Sequence, residues 1–209
     1  NKDIPITLHT EGEKEKYHLA YDPKSEGDNY FARRTLGFHH LECPIHLSPK
    51  TSSIIRELVL YAGTRDVTDG RITLDELVAG DTDWNKGEVE RLMNGWHTLV
   101  HEQIHATGAP EQDSVEDLLL FHKKYNGVTW NEALTDITAM NRLADSLKAL
   151  GIQDATLREE MASRTSGSYA RFKKFLRATL ELPDFGDVDK AAEKLKMNVS
   201  ALDWQEVVA

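Results

Sequence analysis

Between Glu88 and Ala106 apolar residues recur at three- and four-residue intervals, at Val89, Leu92, Met93, Trp96, Leu99, Val100 and Ile104, which is the spacing of an amphipathic helix. The same periodicity predicts helices over about 114–125, 130–150, 154–164, 168–182 and 187–197. The pattern before Ser48 is different. Short runs there, YHLAY, FARRTLGF and HHLECPIHL, are punctuated by Asp22, Pro23, Gly27 and Gly37 and read as strands and turns. Ser48 and Pro49 stand in N-cap and first-turn order. Ile54, Ile55, Leu58, Val59 and Tyr61 give the segment after them an apolar face, and Gly63 closes it. Thr73 and Glu76 of TLDE form a capping box for a further short helix. Strands first and helices after predict an α+β fold, read as one domain over 1–209: β-rich 1–48, a helical middle 87–150 and a helical C-terminal part 151–209. No internal repeat or low-complexity linker interrupts it.

Composition narrows the classes. At 40% apolar and 29% charged residues the chain has a globular composition, and no apolar run approaches the roughly 18 residues of a membrane span. A formal charge of -10 argues against nucleic acid, whose phosphates it would repel, so neither a polyanion nor a membrane is expected as partner. Cys43 is the lone cysteine, which excludes an internal disulfide framework and is compatible with a reducing compartment such as the cytoplasm. The opening residues, NKDIPITLHT, have no basic-then-apolar signal layout and are compatible with a processed product or a piece of a longer protein.

The helix over 88–106 carries unusual chemistry. In WHTLVHEQIHATG, His97, His101 and His105 form a strip along the border of the apolar face, one turn apart. His97 and His105 lie eight residues, about 12 Å, apart along the axis, so three rings can hardly share one ion. Two can. His101 and His105 are the pair to choose, because Glu102 completes HExxH, the spacing that puts two imidazoles on one Zn²⁺ and a carboxylate beside its open position. His97 is read as packing or support. A catalytic zinc still needs a third protein ligand.

Two glutamates compete for that place. Glu111, in HEQIHATGAPE, stands six residues after His105 with Gly108 between, where the metzincin pattern HExxHxxGxxH has its third ligand; that resemblance is partial, since the residue is Glu and Met140 falls inside a predicted helix. Glu132 lies in VTWNEALTDITAMNRLADSL, one turn before Asp136 on a helix whose other face is Leu134, Ile137, Met140, Leu143 and Ala144. Thr129 and Glu132 also fit a capping box, which gives Glu132 a purely local role to play. Asp136 sits among Ala133, Ala139 and Leu143, where a carboxylate is costly unless a cation or a strong donor meets it. A zinc-bound histidine supplies such a donor through its second ring N–H.

HEQIH followed by NEALTD resembles the thermolysin-like gluzincins, in which HExxH is followed on a second helix by NExxxD. The match covers two short segments, roughly 97–140, and the pair is far more specific than HExxH alone. His105 and Glu132 stand 27 residues apart, somewhat more than in thermolysin, and the chain is much shorter, so the resemblance reaches the clan and not the enzyme. It implies a zincin-like α+β fold, with a small N-terminal sheet packed on the HExxH helix and an edge strand that pairs with an extended substrate. It also implies Zn²⁺ on His101, His105 and Glu132, with Asp136 as hydrogen-bond partner of the first histidine and a protein or peptide as substrate. The implied reaction is peptide hydrolysis by a zinc-activated water, with Glu102 as general base and then general acid. In this clan a His or Tyr after the glutamate helix often donates to the oxyanion; Tyr169, in SGSYARFKKFL, is the candidate, although Tyr169, Phe172, Phe175 and Leu176 equally make an apolar stripe.

Other patterns mislead. DVTDGRITLDEL matches the second half of an EF-hand loop, but Arg65 and Val67 occupy the first and third ligand places. Asp81, Asp83 and Asn85 read as a solvated polar loop, and RFKKFLR as a helix with its charges outward. His39 and His40 point to opposite faces if they lie on a strand. The competing function is a binding or structural module of a larger assembly that keeps a zincin scaffold without catalysis. Intact Glu102 speaks against it, because a structural zinc is closed by four protein ligands and has no use for an adjacent acid.

Overall fold

The computed structural model describes residues 4–21, 35–39, 44–63, 83–108, 127–153, 155–165 and 187–198. They are mostly helical, with one three-stranded sheet. The chain divides into two compact units, Asn1–Glu102 with Leu143–Ser166, and Gln103–Arg142 with Gly167–Ala209. The border falls inside two continuous helices, α3 (Asp83–Thr107) and α4 (Gly127–Ser146).

In the first unit β1 (Ile6–Leu8), β2 (Gly37–Phe38) and β3 (Ile45–Leu47) form a sheet in the order β1-β3-β2. β1 runs parallel to β3, pairing Leu8 with Leu47, and β2 runs antiparallel, pairing Gly37 with Leu47 and Phe38 with His46. Alternation along β3 sets the two faces. Ile45 and Leu47 are fully buried, whereas His46 stacks on Phe38 at 4.9 Å and its Nδ1 lies 2.9 Å from His9 Nε2.

The YHLAY run, expected as a strand, is instead helix α1 (Lys14–Tyr21). Thr10 and Glu13 form a capping box just before it, with Thr10 N–H donating to Glu13 Oε2 at 3.2 Å, and this local start signal outweighs the strand-like composition. Tyr17 is buried against His9 and Phe38, and its hydroxyl donates to the Thr35 carbonyl at 2.8 Å. Among the described residues, FARRTLGF contributes the strand Gly37–Phe38 and HHLECPIHL the strand Ile45–Leu47.

α2 (Pro49–Gly63) follows its predicted bounds. Ser48 caps it, Oγ accepting from Thr51 N–H at 3.2 Å, and Ser52 Oγ donates back to the Leu47 carbonyl. Ile54, Ile55 and Leu58 are buried, but Val59, placed on the same face by periodicity, lies at the outer edge of that stripe and is half exposed. α2 meets α3 through Gly95, where a Cβ would stand 2.4 Å from Ile54 Cγ2 and 2.9 Å from Ile54 Cβ. Arg91 of α3 ties the pair at the surface through Glu57 of α2, at 2.6 Å, and also pairs with Glu88 on its own helix. Trp96 Nε1 donates to Ser146 Oγ at 2.8 Å. A 3-10 turn, Leu147–Leu150, then closes on Gly151, whose φ of 83° is the left-handed terminus that glycine suits, and α5 (Ala155–Ser163) follows.

In the second unit Ile104, Leu134, Ile137, Ala191 and Leu195 are buried. α6 (Val188–Asn198) is held to α4 by Arg142 Nε to Glu193 Oε1 at 2.7 Å and by Asn141 Nδ2 to the Asp189 carbonyl at 2.9 Å. Lys196, fully buried, donates from Nζ to Asn131 Oδ1 at 2.5 Å.

Candidate metal centre

α3 is unbroken from Asp83 to Thr107, so His97, His101 and His105 keep the one-turn spacing the sequence predicts. His97 is buried, and His101 and His105 are partly so. α4 begins at Gly127, two residues before Thr129, which removes Thr129 from the cap position and Glu132 from a capping box. Glu132 Oε1 instead lies 3.2 Å from His105 Nε2. His105 and Glu132 both belong to the second unit, and His101 stands one turn before His105 on α3.

Which ring nitrogen of His105 carries the proton follows from its neighbours. Thr135 Oγ1 donates its hydrogen to the Asn131 carbonyl at 2.7 Å, and lies 3.5 Å from His105 Nδ1. A hydroxyl has one proton; with it committed to the shorter bond, the oxygen can only accept, so Nδ1 is the protonated nitrogen. Nε2 faces a carboxylate oxygen 3.2 Å away. A pair that close is bridged by a proton on Nε2 or by a metal cation between the two atoms. A tetrahedral zinc with bonds of about 2.0–2.1 Å holds its ligand atoms about 3.3 Å apart, close to the separation here. Two imidazoles and a carboxylate are also a donor set that zinc takes in open sites, so the residues present fit the ion.

Glu102, one residue from His101, is buried in the first unit. Its stem rests on the sheet: a Cβ at Gly37 would meet Glu102 Cγ at 3.1 Å, Thr98 Cγ2 at 3.3 Å and Leu47 Cδ2 at 2.9 Å. Tyr17 is near enough to feel the charge. Burial first, and the Glu102 carboxylate after it, hold the Tyr17 hydroxyl well above the usual phenol range, so Tyr17 stays neutral.

Asp136 is buried on α4. Sequence reasoning gave His97 no more than a packing or supporting role, and it did not single out Thr135, Gly37, Tyr17 or Lys196. Thr135 had a signal: a hydroxyl residue four after Asn131 and one before Asp136, on the buried side of its helix. Lys196 had one too, a lysine one turn after Ala192 on the apolar face of its helix. Glu111, Tyr169, Cys43, His40, the EF-hand-like loop, Asp81, RFKKFLR and the predicted helices 114–125 and 168–182 lie outside the described residues. Among the described residues no helix is long and apolar enough to cross a membrane. Comparisons of the chain with protein-family models, curated proteins and solved structures returned no match.

Proposed function

We propose that the chain is a zinc-dependent metallopeptidase of the gluzincin type, acting on a protein or peptide, with a zincin-like α+β fold. One observation carries the reading: Nε2 of His105 faces a Glu132 oxygen at 3.2 Å, and His101 stands one turn before His105 on the same helix. His101, His105 and Glu132 would hold the ion. Zinc bound there supplies a Lewis acid for the scissile carbonyl and makes water acidic enough to ionise near neutral pH.

Glu102 does the proton work. Its carboxylate takes the proton of the attacking water and passes it to the leaving amine nitrogen, base and then acid. The resemblance gives Asp136 the role of orienting the first histidine, and its burial on α4 suits a carboxylate that meets a ring N–H. Tyr169 remains the candidate oxyanion donor. Among the described strands β2 lies at an edge, and its Gly37 lies against the Glu102 stem, so an extended peptide added along this edge would run past Glu102.

Glu102→Gln tests the scheme. Metal analysis should find zinc retained at the wild-type ratio, while hydrolysis of a peptide library falls by about 10²–10⁴. Undiminished hydrolysis rejects the mechanism. Wild-type protein that binds zinc and cuts nothing would instead assign the chain to the non-catalytic binding or structural class.

A further inference from the structure

Lys196 is fully buried, and the proposed chemistry does not use it. An ammonium out of water is costly, and it persists only where it is held by a partner. Its Nζ donates to Asn131 Oδ1 at 2.5 Å, and Asn131 is the residue before Glu132. The backbone carbonyl of Asn131 takes the Thr135 hydroxyl at 2.7 Å, and the Thr135 oxygen lies 3.5 Å from His105 Nδ1. One residue, Asn131, is thus gripped from one side while it fixes the proton of Thr135 on the other. The Thr135 oxygen is in turn the group that faces the His105 ring.

We propose that Lys196 is a positioning residue of the metal centre: its ammonium clamps Asn131, and through Asn131 it holds Glu132 and the His105 ring in the ligating arrangement. The proposal rests on the zinc reading above. It makes metal affinity depend on α6, a helix that contributes no ligand. Docking of α6 is not the same thing as the clamp, because Arg142–Glu193 and Asn141–Asp189 hold α6 to α4 independently.

The variant is Lys196→Met, which keeps the stem and removes the charge. Zinc affinity is read at 25 °C by competition with a chromophoric chelator, beside circular dichroism and the melting temperature of the metal-free protein. The expected result is zinc affinity weaker by about 10–100-fold with helical content unchanged, the usual size of a loss behind a ligand. Affinity within twofold of wild type would overturn the role, whatever the melting temperature does. Should Lys196→Met fail to fold, the double variant Lys196→Met with Asn131→Leu removes both polar ends and leaves neither orphaned. It should fold and show the same loss of zinc, and wild-type affinity in it also overturns the proposal. A wild-type chain that takes up no zinc brings down the metal centre and this role together, whereas wild-type uptake with unaltered variants brings down only Lys196.

Discussion

Substituting Gly95 by alanine adds one methyl group to the interior of α3, and by helix propensity alone it should stabilise the protein by about 1 kcal/mol. The packing against α2 reverses that sign. The new Cβ would stand 2.4 Å from Ile54 Cγ2, 2.9 Å from Ile54 Cβ and 3.4 Å from Ile54 Cδ1. Non-bonded carbons prefer roughly 3.5–4.0 Å. A rotamer change can move the methyls but not the Ile54 Cβ, which is bonded to the backbone, so the two helices must part locally by about 1 Å. Val89, Leu92, Met93 and Leu58, all buried, belong to the same packed pair and resist it. Overpacking of this kind costs about 1–3 kcal/mol, and the upper part of that range applies where a backbone must move. Net of propensity, Gly95→Ala should destabilise by about 1–2 kcal/mol, which for a chain of this length lowers the melting temperature by about 2–8 °C. Gly87→Ala is the control. It lies on the same helix with nothing within 4 Å of the added Cβ, and should raise the melting temperature by about 2–4 °C. Both are read by calorimetry with chelator present, so that metal binding adds nothing to either state. A Gly95→Ala protein as stable as wild type, or more so, would refute the close approach of α2 and α3.

Glu132→Ala should abolish or severely weaken zinc uptake while Glu111→Ala leaves it intact, measured by metal analysis after dialysis; the opposite result would move the third ligand to Glu111. Gly37→Ala should lower turnover more than it lowers stability, because the added Cβ meets Glu102 Cγ at 3.1 Å and Leu47 Cδ2 at 2.9 Å; kinetics indistinguishable from wild type would contradict that contact. Stability should also fall as pH drops below about 6.5, where the unfolded chain protonates His9 while the folded chain resists. Burial is the main cause of the lowered His9 pKa, with Glu13 opposing it and Lys16 adding to it. The stabilisation is complete above 6.5 and lost as pH falls toward the depressed value, so melting temperatures at pH 7.5 and 5.5 should differ less in His9→Gln than in wild type, and equal slopes would reject the assignment.

Long, strongly periodic segments were legible before any coordinates. α2 keeps its predicted ends because Ser48 caps it and Gly63 stops it, and α3 and α4 appear where the apolar stripes fall. HExxH and the buried Asp136 were readable from spacing and polarity alone. The strands were harder. β1 and β3 have three residues each and β2 has two, too short for alternation to register, and the YHLAY run went to a helix because a capping box ten residues into the chain decided its start. The contacts that tune the site were not legible, since Gly37 with Glu102, and Lys196 with Asn131, join residues 65 apart in the chain. Nothing in a single sequence pairs them.

The glycine at position 37 has a consequence for how a carboxylate can shuttle a proton. Because the strand backbone lies directly against the Glu102 stem, the side chain is braced by a neighbouring element and does not depend on its own helix for direction. A side chain held at its stem presents its carboxylate in one direction, as the proposed proton transfer would need. If Glu102 carries the proposed reaction, fixing its stem is an entropic cost met during folding and not again at each turnover.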